Sequence, residues 1–439
     1  MPELRLRSAA WYGDRLIRLA LPADWSVNVV WPRTPPPLTD DQISAALAAP
    51  IGQAPIKDLC RGKRRPVVIV DDLNRPTPAY RVLPAVFEQF RAAGIEPRQV
   101  RILVATGTHI PPSTEAAARK IGPELARACE VITHDALRGL KRVGRTAFGT
   151  PIDINWALAD SDFVVGIGGI YPNHTAGFGG GSKLALGVLG LRSIMHLHYG
   201  HLPVGWSNDP SSTLLRQELD EIASAIGLRT TICLHIDAER EVVRAVSGDH
   251  SMFYADEVSF VRRTYSAPEP ASADVVISNA YPNDLSLTFS SMKGFVPLAR
   301  CAPQASRIGI TPCTEGLGRH ELMSASSVTE KLSHIVRRVS IMTPGEFAAK
   351  CGARIRRRLA ARPAKQAAKR SIWVYRPHEG AETLSCSGMR VGHSWPEIID
   401  AVVTEQGHKR ALNVVVYPCA PLMCLEPIEE YVSSHSAAV

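Results

Sequence analysis

The chain lacks the features that would mark a membrane protein, a zinc ribbon or a dithiol redox protein. No apolar run in its 439 residues approaches the ~20 residues that a membrane-spanning helix requires. Charged residues interrupt the N-terminal segment too often for a signal-peptide core. The nine cysteines include no C-x-x-C pair, the spacing typical of zinc and dithiol motifs. We therefore expect a cytoplasmic protein without a membrane partner.

The positive charge is concentrated in one segment and does not form a basic face across the protein. The net charge is +8, and residues Cys351 to Arg370 contain eight basic residues and no acidic one, so the remainder is neutral. This segment also lacks the aromatic residues on which single-stranded nucleic acid stacks. We interpret it as a solvated helix broken at Pro363, with a phosphate-rich partner as the alternative. A nucleic-acid partner is not favoured.

The pattern of short β-branched runs and Ala/Leu/Glu/Arg-rich stretches is typical of an α/β protein with mostly parallel sheets. The length predicts two large or three small domains, at roughly 100–200 residues each. A small, polar, proline-containing stretch near residue 270 predicts an N-terminal domain of residues 1–268 and a C-terminal α/β domain of residues 274–430. The predicted strands are Pro66–Asp71, Val100–Ala105, Ala128–His134, Asp162–Ile167, Thr231–Ile236, Val275–Ser278, Arg307–Thr311 and Asn413–Tyr417, and helices are predicted over Ala79–Ala93 and Ser113–Ile121.

Two polar clusters follow predicted strands, where doubly wound folds place their sites. Asp72 and Arg75 follow the first strand, and a guanidinium there can clamp a carboxylate. The same pair could equally serve only to close the turn. His109 follows the next strand in a Thr-Gly-Thr-His loop and suits proton transfer at neutral pH, although an isolated loop histidine is more often inert.

A third cluster is rich in glycine and ends in a lysine. Gly177, Gly179, Gly180 and Gly181 precede Ser182 and Lys183, a pattern that can cradle an anion at the start of a helix. It is not a P-loop, because leucine follows the lysine where that motif needs a hydroxyl for magnesium. His196, His198 and His201 come next. Residues two apart do not share a helix face, so one of the first two is expected to be functional.

Together these clusters resemble the nickel-dependent lactate racemase family over essentially the whole chain. The segments that carry the resemblance are DDLNR, GTH, AGFGGGSK and, upstream, PIGQAPIKDL. Members of that family carry a nickel pincer nucleotide, Ni(II) pyridinium-3,5-bisthiocarboxylic acid mononucleotide. The cofactor is attached to a lysine through a thioamide, and a histidine is a further nickel ligand.

The resemblance implies a role for individual residues of this chain. Lys183 matches the anchoring lysine, with Gly179, Gly180, Gly181 and Ser182 in the cofactor-binding loop. His198 matches the nickel ligand, His109 matches a catalytic histidine, and Asp72 and Arg75 match residues around the substrate carboxylate.

The match is looser in two places. Asn173 occupies the aligned position of the family's second catalytic histidine, and His174 follows one residue later as the candidate. The family's YQxxKG becomes FSSMKG in this chain. That change keeps Lys293 and puts Ser290 in place of the glutamine, and both are candidates for substrate binding.

The resemblance therefore implies an isomerase that interconverts stereoisomers of a 2-hydroxy acid in a cleft between the two domains. Hydride would pass to and from the lysine-tethered cofactor. The expected partners are a small 2-hydroxy acid and the proteins that synthesise the pincer cofactor. The alternatives are an epimerase of a larger hydroxy or sugar acid, and a non-catalytic relative with a binding or regulatory role.

Overall fold

The structure, a computed structural model, describes most of the chain in four long ranges. These are residues 3–210, 213–318, 370–378 and 388–435, together with the single positions 336, 345, 352 and 384. The basic segment predicted above lies outside the described residues, except for Gly352 and Arg370. Within the described ranges, none of the helices combines the length and apolarity needed to cross a bilayer.

The described strands are numbered in chain order. They are β1 (Glu3–Ser8), β2 (Arg15–Ala20), β3 (Ser26–Val29), β4 (Pro66–Asp71), β5 (Arg101–Ala105), β6 (Glu130–Thr133), β7 (Leu140–Arg145), β8 (Pro151–Asn155), β9 (Phe163–Gly168), β10 (Pro172–Asn173), β11 (Gly177–Phe178), β12 (Leu228–Ile236), β13 (Val242–Gly248), β14 (Ser266–Pro268), β15 (Val275–Asn279), β16 (Ser306–Ile310), β17 (Ile372–Tyr375), β18 (Met389–Gly392), β19 (Asn413–Tyr417) and β20 (Cys424–Glu426).

The described helices lie between these strands. They are α1 (Asp40–Ala48), α2 (Ile56–Leu59), α3 (Ala79–Ala92), α4 (Thr114–Ile121), α5 (Pro123–Ala128), α6 (Trp156–Ala159), α7 (Leu191–Gly200), α8 (Leu214–Ala225), α9 (His250–Thr264), α10 (Leu287–Phe289), α11 (Val296–Arg300), α12 (Trp395–Glu405) and α13 (Ile428–His435). Short 3-10 helices occupy Pro97–Gln99, Gly181–Val188 and Ala420–Leu422, and Ser290–Gly294 form a π-helical turn.

Two six-stranded sheets confirm the predicted α/β class. The first has the order β13-β12-β9-β4-β5-β6, in which only β12 and β13 pair antiparallel. The second has the order β18-β17-β16-β15-β19-β3 and is parallel throughout. Every residue of β4 and β9 is buried, as expected for parallel strands covered on both faces.

The N-terminal segment folds with the second sheet. Strand β3 pairs with β19 at one edge, and the apolar residues of the β1–β2 hairpin share a core with those of β15. The chain passes from the first sheet to the second between β13 and β15, and the division into domains at residues 268–274 stays a prediction. The pairing of residues 26–29 with the second sheet is a long-range contact that the local pattern does not indicate.

The turn of the β1–β2 hairpin also joins the two halves of the molecule. The buried carboxylate of Asp284 accepts hydrogen bonds from the backbone N–H groups of Ala9 at 2.8 Å and Ala10 at 3.1 Å. Trp11 donates from Nε1 to the carbonyl of Leu73, at 3.0 Å, in the loop that follows β4. The hairpin thus braces one of the loops at the carboxyl edge of the first sheet.

Strand order reverses in the first sheet between β4 and β9. From this point the chain winds outward through β5 and β6 on one side, and through β12 and β13 on the other. The loops at the carboxyl ends of β4 and β9 diverge, which opens a crevice of the kind where such folds bind ligands. The Asp72, His109 and glycine-rich clusters all follow strands that end at this edge.

Candidate active site

A cavity at this crevice collects most of the residues selected from the sequence. Its walls come from the loops after β4, β5 and β9, from α7 and from the 3-10 helix Gly181–Val188. The turn after α10, in the second half of the chain, completes the lining. The cavity therefore lies between the two halves of the molecule, where the sequence analysis expects the active site. The predicted residues among its lining are Asp72, Arg75, His109, Gly179, Gly180, Lys183, His198 and Lys293.

His109 and Asp72 form an oriented pair in this cavity. The His109 Nδ1 atom lies 2.7 Å from the Asp72 carboxylate, so Nδ1 carries the proton and the neutral ring keeps its lone pair on Nε2. Burial lowers the pKa of His109, and the carboxylate opposes that shift only in part. Burial opposes ionisation of Asp72 as well, but His109 and Arg75 outweigh it and hold the pKa of that carboxyl below its usual range. The arrangement is that of a general base with an orienting carboxylate.

A fully buried lysine, Lys120 of α4, supports the loop that carries this pair. Its Nζ atom lies 2.5 Å from the carboxylate of Asp71 and donates to the backbone carbonyls of Asp72 at 3.2 Å and Arg75 at 3.0 Å. Burial raises the pKa of Asp71 and lowers the pKa of Lys120, while their pairing opposes both shifts. One buried amine therefore ties together the backbone at the two predicted substrate-binding residues, Asp72 and Arg75.

The glycine-rich segment turns sharply before it enters the expected helix, which is a 3-10 helix over Gly181–Val188. Gly180 and Gly181 have positive φ angles of 71° and 57°. A Cβ at Gly180 would come within 2.5 Å of Ile170, and one at Gly181 within 2.8 Å of Tyr254. Only glycine fits both the backbone conformation and the space at these positions.

Lys183 emerges from this turn into the cavity. Burial, together with the nearby charges of Arg75 and Arg216, lowers the pKa of its amine to about 7. At physiological pH the Lys183 amine is therefore neutral in a substantial fraction of the protein molecules, and the neutral amine is the nucleophilic form.

His198 reaches the same cavity from α7. Its Nδ1 atom donates to the carbonyl of Ile194, at 2.9 Å, one turn earlier in the helix. The carbonyl can only accept, so the neutral ring carries its lone pair on Nε2, the arrangement found in metal-ligating histidines. Lys183 and His198 thus share one cavity, as the sequence-based hypothesis requires.

Arg75 and Lys293 bring positive charge from opposite halves of the molecule. Lys293 is 8% exposed and lies in the π-helical turn, a rare conformation that is frequent at functional sites. Burial and then the charge of Arg75 lower its pKa well below the usual range. An anionic ligand placed between the two side chains would relieve this repulsion.

Four predicted residues are not in the cavity lining. His174 has an exposed side chain, and its backbone carbonyl accepts a hydrogen bond from Gly205. Ser290 is buried against Thr311, with 2.7 Å between the two hydroxyl oxygens. Gly181 and Ser182 are buried behind the lining. Their roles in catalysis or binding stay predictions.

Asn173 lines the cavity at the position where the family has its second histidine. Its side-chain oxygen accepts hydrogen bonds from the backbone N–H groups of Thr175 and Ala176, both at 3.0 Å. The side chain therefore stabilises the turn that follows. An amide is not protonated at neutral pH, so Asn173 cannot act as a catalytic base as a histidine could.

Sequence reasoning missed Lys120. A signal for it was present, because Lys120 lies four residues after Ala116 and three after Ala117, on the apolar face of α4. A lysine on such a face needs an acidic partner in the core.

We predict that Lys120→Met lowers the free energy of unfolding by about 3–5 kcal/mol, because Asp71 becomes a buried carboxylate without its cation. Urea denaturation measures the effect. Adding Asp71→Asn to this variant should recover part of the loss. The exposed Lys63→Met is the matched control, and an equal loss in that control would contradict the account.

Comparison with known proteins links this site to one family. Residues 12–206 match the lactate racemase N-terminal domain family. The lactate racemase of Lactiplantibacillus plantarum is 27% identical over 262 residues, which are 58% of this chain and 61% of that protein. The lactate racemase of Thermoanaerobacterium thermosaccharolyticum is 26% identical over 287 residues, covering 64% of this chain and 67% of that protein. The chain thus spans about three fifths of the length of the first relative.

Solved structures show the same fold. The lactate racemase apoprotein from Thermoanaerobacterium thermosaccharolyticum superposes with a TM-score of 0.67 at 20% identity, covering 96% of this chain and all of that one. A crystal structure of a Thermotoga maritima protein gives a TM-score of 0.56 at 15% identity, covering 90% of this chain and all of that one. The N-terminal part of the chain, which contributes most of the cavity described above, is thus similar to the lactate racemase N-terminal domain over residues 12–206.

Proposed function

We propose that the protein is a racemase or epimerase of a 2-hydroxy acid that works with a nickel pincer nucleotide attached to Lys183. The observation that carries the proposal is the single cavity in which an amine, an imidazole with its lone pair on Nε2, a His–Asp pair and two further cations meet. The relatives named lactate racemases support this class of reaction.

The residues present fit such a cofactor. Lys183 supplies a half-buried amine with a pKa of about 7, and His198 supplies one imidazole nitrogen. No cluster of three or more histidine, cysteine or acidic side chains suited to a metal occurs among the described residues. A metal here would need ligands from an organic group, which is what a pincer provides. The wall formed by Gly179 and Gly180 allows such a group to approach the backbone closely.

When bound, this cofactor would supply a reversible hydride acceptor for C2 of the substrate. The chain's own residues would manage the remaining charge and the proton. His109 would remove the substrate hydroxyl proton at Nε2 and later return it, while Asp72 stabilises the protonated ring. Arg75 and Lys293 would bind the substrate carboxylate from opposite sides of the cavity and orient C2.

A larger hydroxy acid is a second candidate substrate. Phe289 and Ser290 stand in this chain where the family has tyrosine and glutamine, and the Ser290 hydroxyl is bonded to Thr311 instead of lining the cavity. Fewer polar groups therefore meet the substrate on this side. A panel of 2-hydroxy acids, from lactate to sugar acids, analysed by chiral chromatography distinguishes the two substrate classes.

The variant Lys183→Ala tests the proposed point of cofactor attachment. We expect the native protein, purified from its own host, to carry a mass adduct on Lys183 and bound nickel, and the variant to carry neither, because the attachment point is gone. Intact-mass spectrometry and metal analysis measure both. Lys57→Ala, which changes an exposed lysine, is the control and should keep both signals. An unchanged adduct in Lys183→Ala would contradict the proposal.

We further predict that His109→Gln lowers kcat by about 10²–10⁴-fold, the usual contribution of a general base. His174→Gln should stay within about threefold of the parent protein, because its side chain lies outside the cavity. Racemisation rates measured by chiral chromatography compare the two variants. A loss in His174→Gln as large as in His109→Gln would show that His174 enters the reacting centre.

The pH profile of kcat/KM should be bell-shaped. The base must be neutral, so activity rises with pH through the pKa of His109, which burial places below its ordinary value of about 6.5. The Lys293 ammonium must be charged to bind the carboxylate, so activity falls as pH rises through its pKa, which is also lowered. Lys293→Met should raise KM and remove the descending limb. A profile unchanged by that substitution would exclude Lys293 as the group responsible.

A further inference from the structure

Arg216 of α8 forms several hydrogen bonds to the glycine-rich loop that precedes Lys183, the proposed cofactor anchor. The side chain is 5% exposed. Its guanidinium donates from Nη1 to the carbonyl of Gly180 and the hydroxyl of Ser182, and from Nη2 to the carbonyl of Phe178, each at 3.2 Å. One planar group thus reaches both sides of the sharp turn before Lys183.

Tyr254 of α9 adds further hydrogen bonds to Arg216 and to the same loop. The Tyr254 hydroxyl accepts a hydrogen bond from Arg216 Nη2 and donates to the carbonyl of Gly179 at 3.1 Å. The guanidinium carbon also lies 4.1 Å from the centre of the Tyr254 ring. The backbone carbonyls of residues 178, 179 and 180 therefore all accept hydrogen bonds from side chains of α8 or α9.

Lysine could not replace Arg216 in full. A point charge on a flexible stem cannot form the same fork to three acceptors.

We propose that Arg216 is a positioning residue that holds the 178–182 loop in the conformation presenting the Lys183 amine to the cavity. This inference rests on the proposed role of Lys183 as the cofactor anchor and assigns a residue that controls that anchor. The guanidinium has a second effect on the amine. Its positive charge is among the causes that lower the pKa of Lys183, so it favours the neutral, nucleophilic form.

The test uses the full-length protein made in a host that does not synthesise the cofactor, so it does not depend on cofactor loading. The rate at which N-hydroxysuccinimidyl acetate acetylates Lys183 is followed by peptide mass spectrometry from pH 6 to pH 10. Hydrogen exchange of the loop amides is measured in parallel. The variants are Arg216→Gln, which removes the charge, and Arg216→Lys, which keeps the charge but not the fork. Arg229→Gln, an exposed arginine on β12, is the matched control.

In Arg216→Gln we expect the midpoint of the pH dependence of Lys183 acetylation to rise by about one pH unit, with about a fivefold slower reaction at pH 7. In Arg216→Lys the midpoint should stay, while the loop amides exchange at least about tenfold faster. A residue that only stabilises the fold would lower the denaturation midpoint without moving the acetylation midpoint of the folded protein. Parent-like acetylation in Arg216→Gln, or parent-like loop exchange in Arg216→Lys, would overturn the proposal.

The outcome is separable from that of the proposed function. Acetylation that depends on Arg216 supports the positioning role even if protein from its own host carries no adduct. An adduct with Arg216-independent acetylation would instead retain the proposed function and refute this inference.

Discussion

Repulsion among three neighbouring basic side chains is the constraint on which the rest of the site depends. Arg75, Lys183 and Lys293 line one cavity, and burial together with their mutual charge lowers the pKa of both lysines. Such a cluster is unfavourable unless the surrounding structure holds it in place. The fold does so through two helices of the first half of the molecule, with the Lys120 ion pair below the β4 loop and the Arg216 fork behind the glycine-rich loop.

The same repulsion gives the cavity its chemistry. An anionic ligand neutralises the cations and so gains free energy that an isolated surface lysine would not provide. A lowered pKa also makes Lys183 a nucleophile at neutral pH. The His109–Asp72 pair adds a proton acceptor in a fixed tautomer. The crevice at the strand-order reversal of the first sheet therefore holds side chains whose chemistry suits anion binding, covalent attachment and proton transfer.

The sequence predicted the parts that depend on local pattern. The buried strands, the helices that begin at Ala79 and Thr114, and the clusters around Asp72, His109 and Lys183 all follow from runs and spacings along the chain. Arg216 was not predictable, because its contacts lie 34 to 38 residues away along the chain. The same limit applies to β3, which pairs with a strand near the other end of the chain.

The central claim is that Lys183 and His198 hold one metal-containing cofactor between them. A crystal structure of protein purified from its own host, with diffraction data recorded on both sides of the nickel absorption edge, tests this most directly. The account predicts an anomalous peak within bonding distance of His198 Nε2, and electron density continuous with the Lys183 side chain. A cavity with no anomalous peak and an unmodified Lys183, in protein that racemises a 2-hydroxy acid, would contradict it.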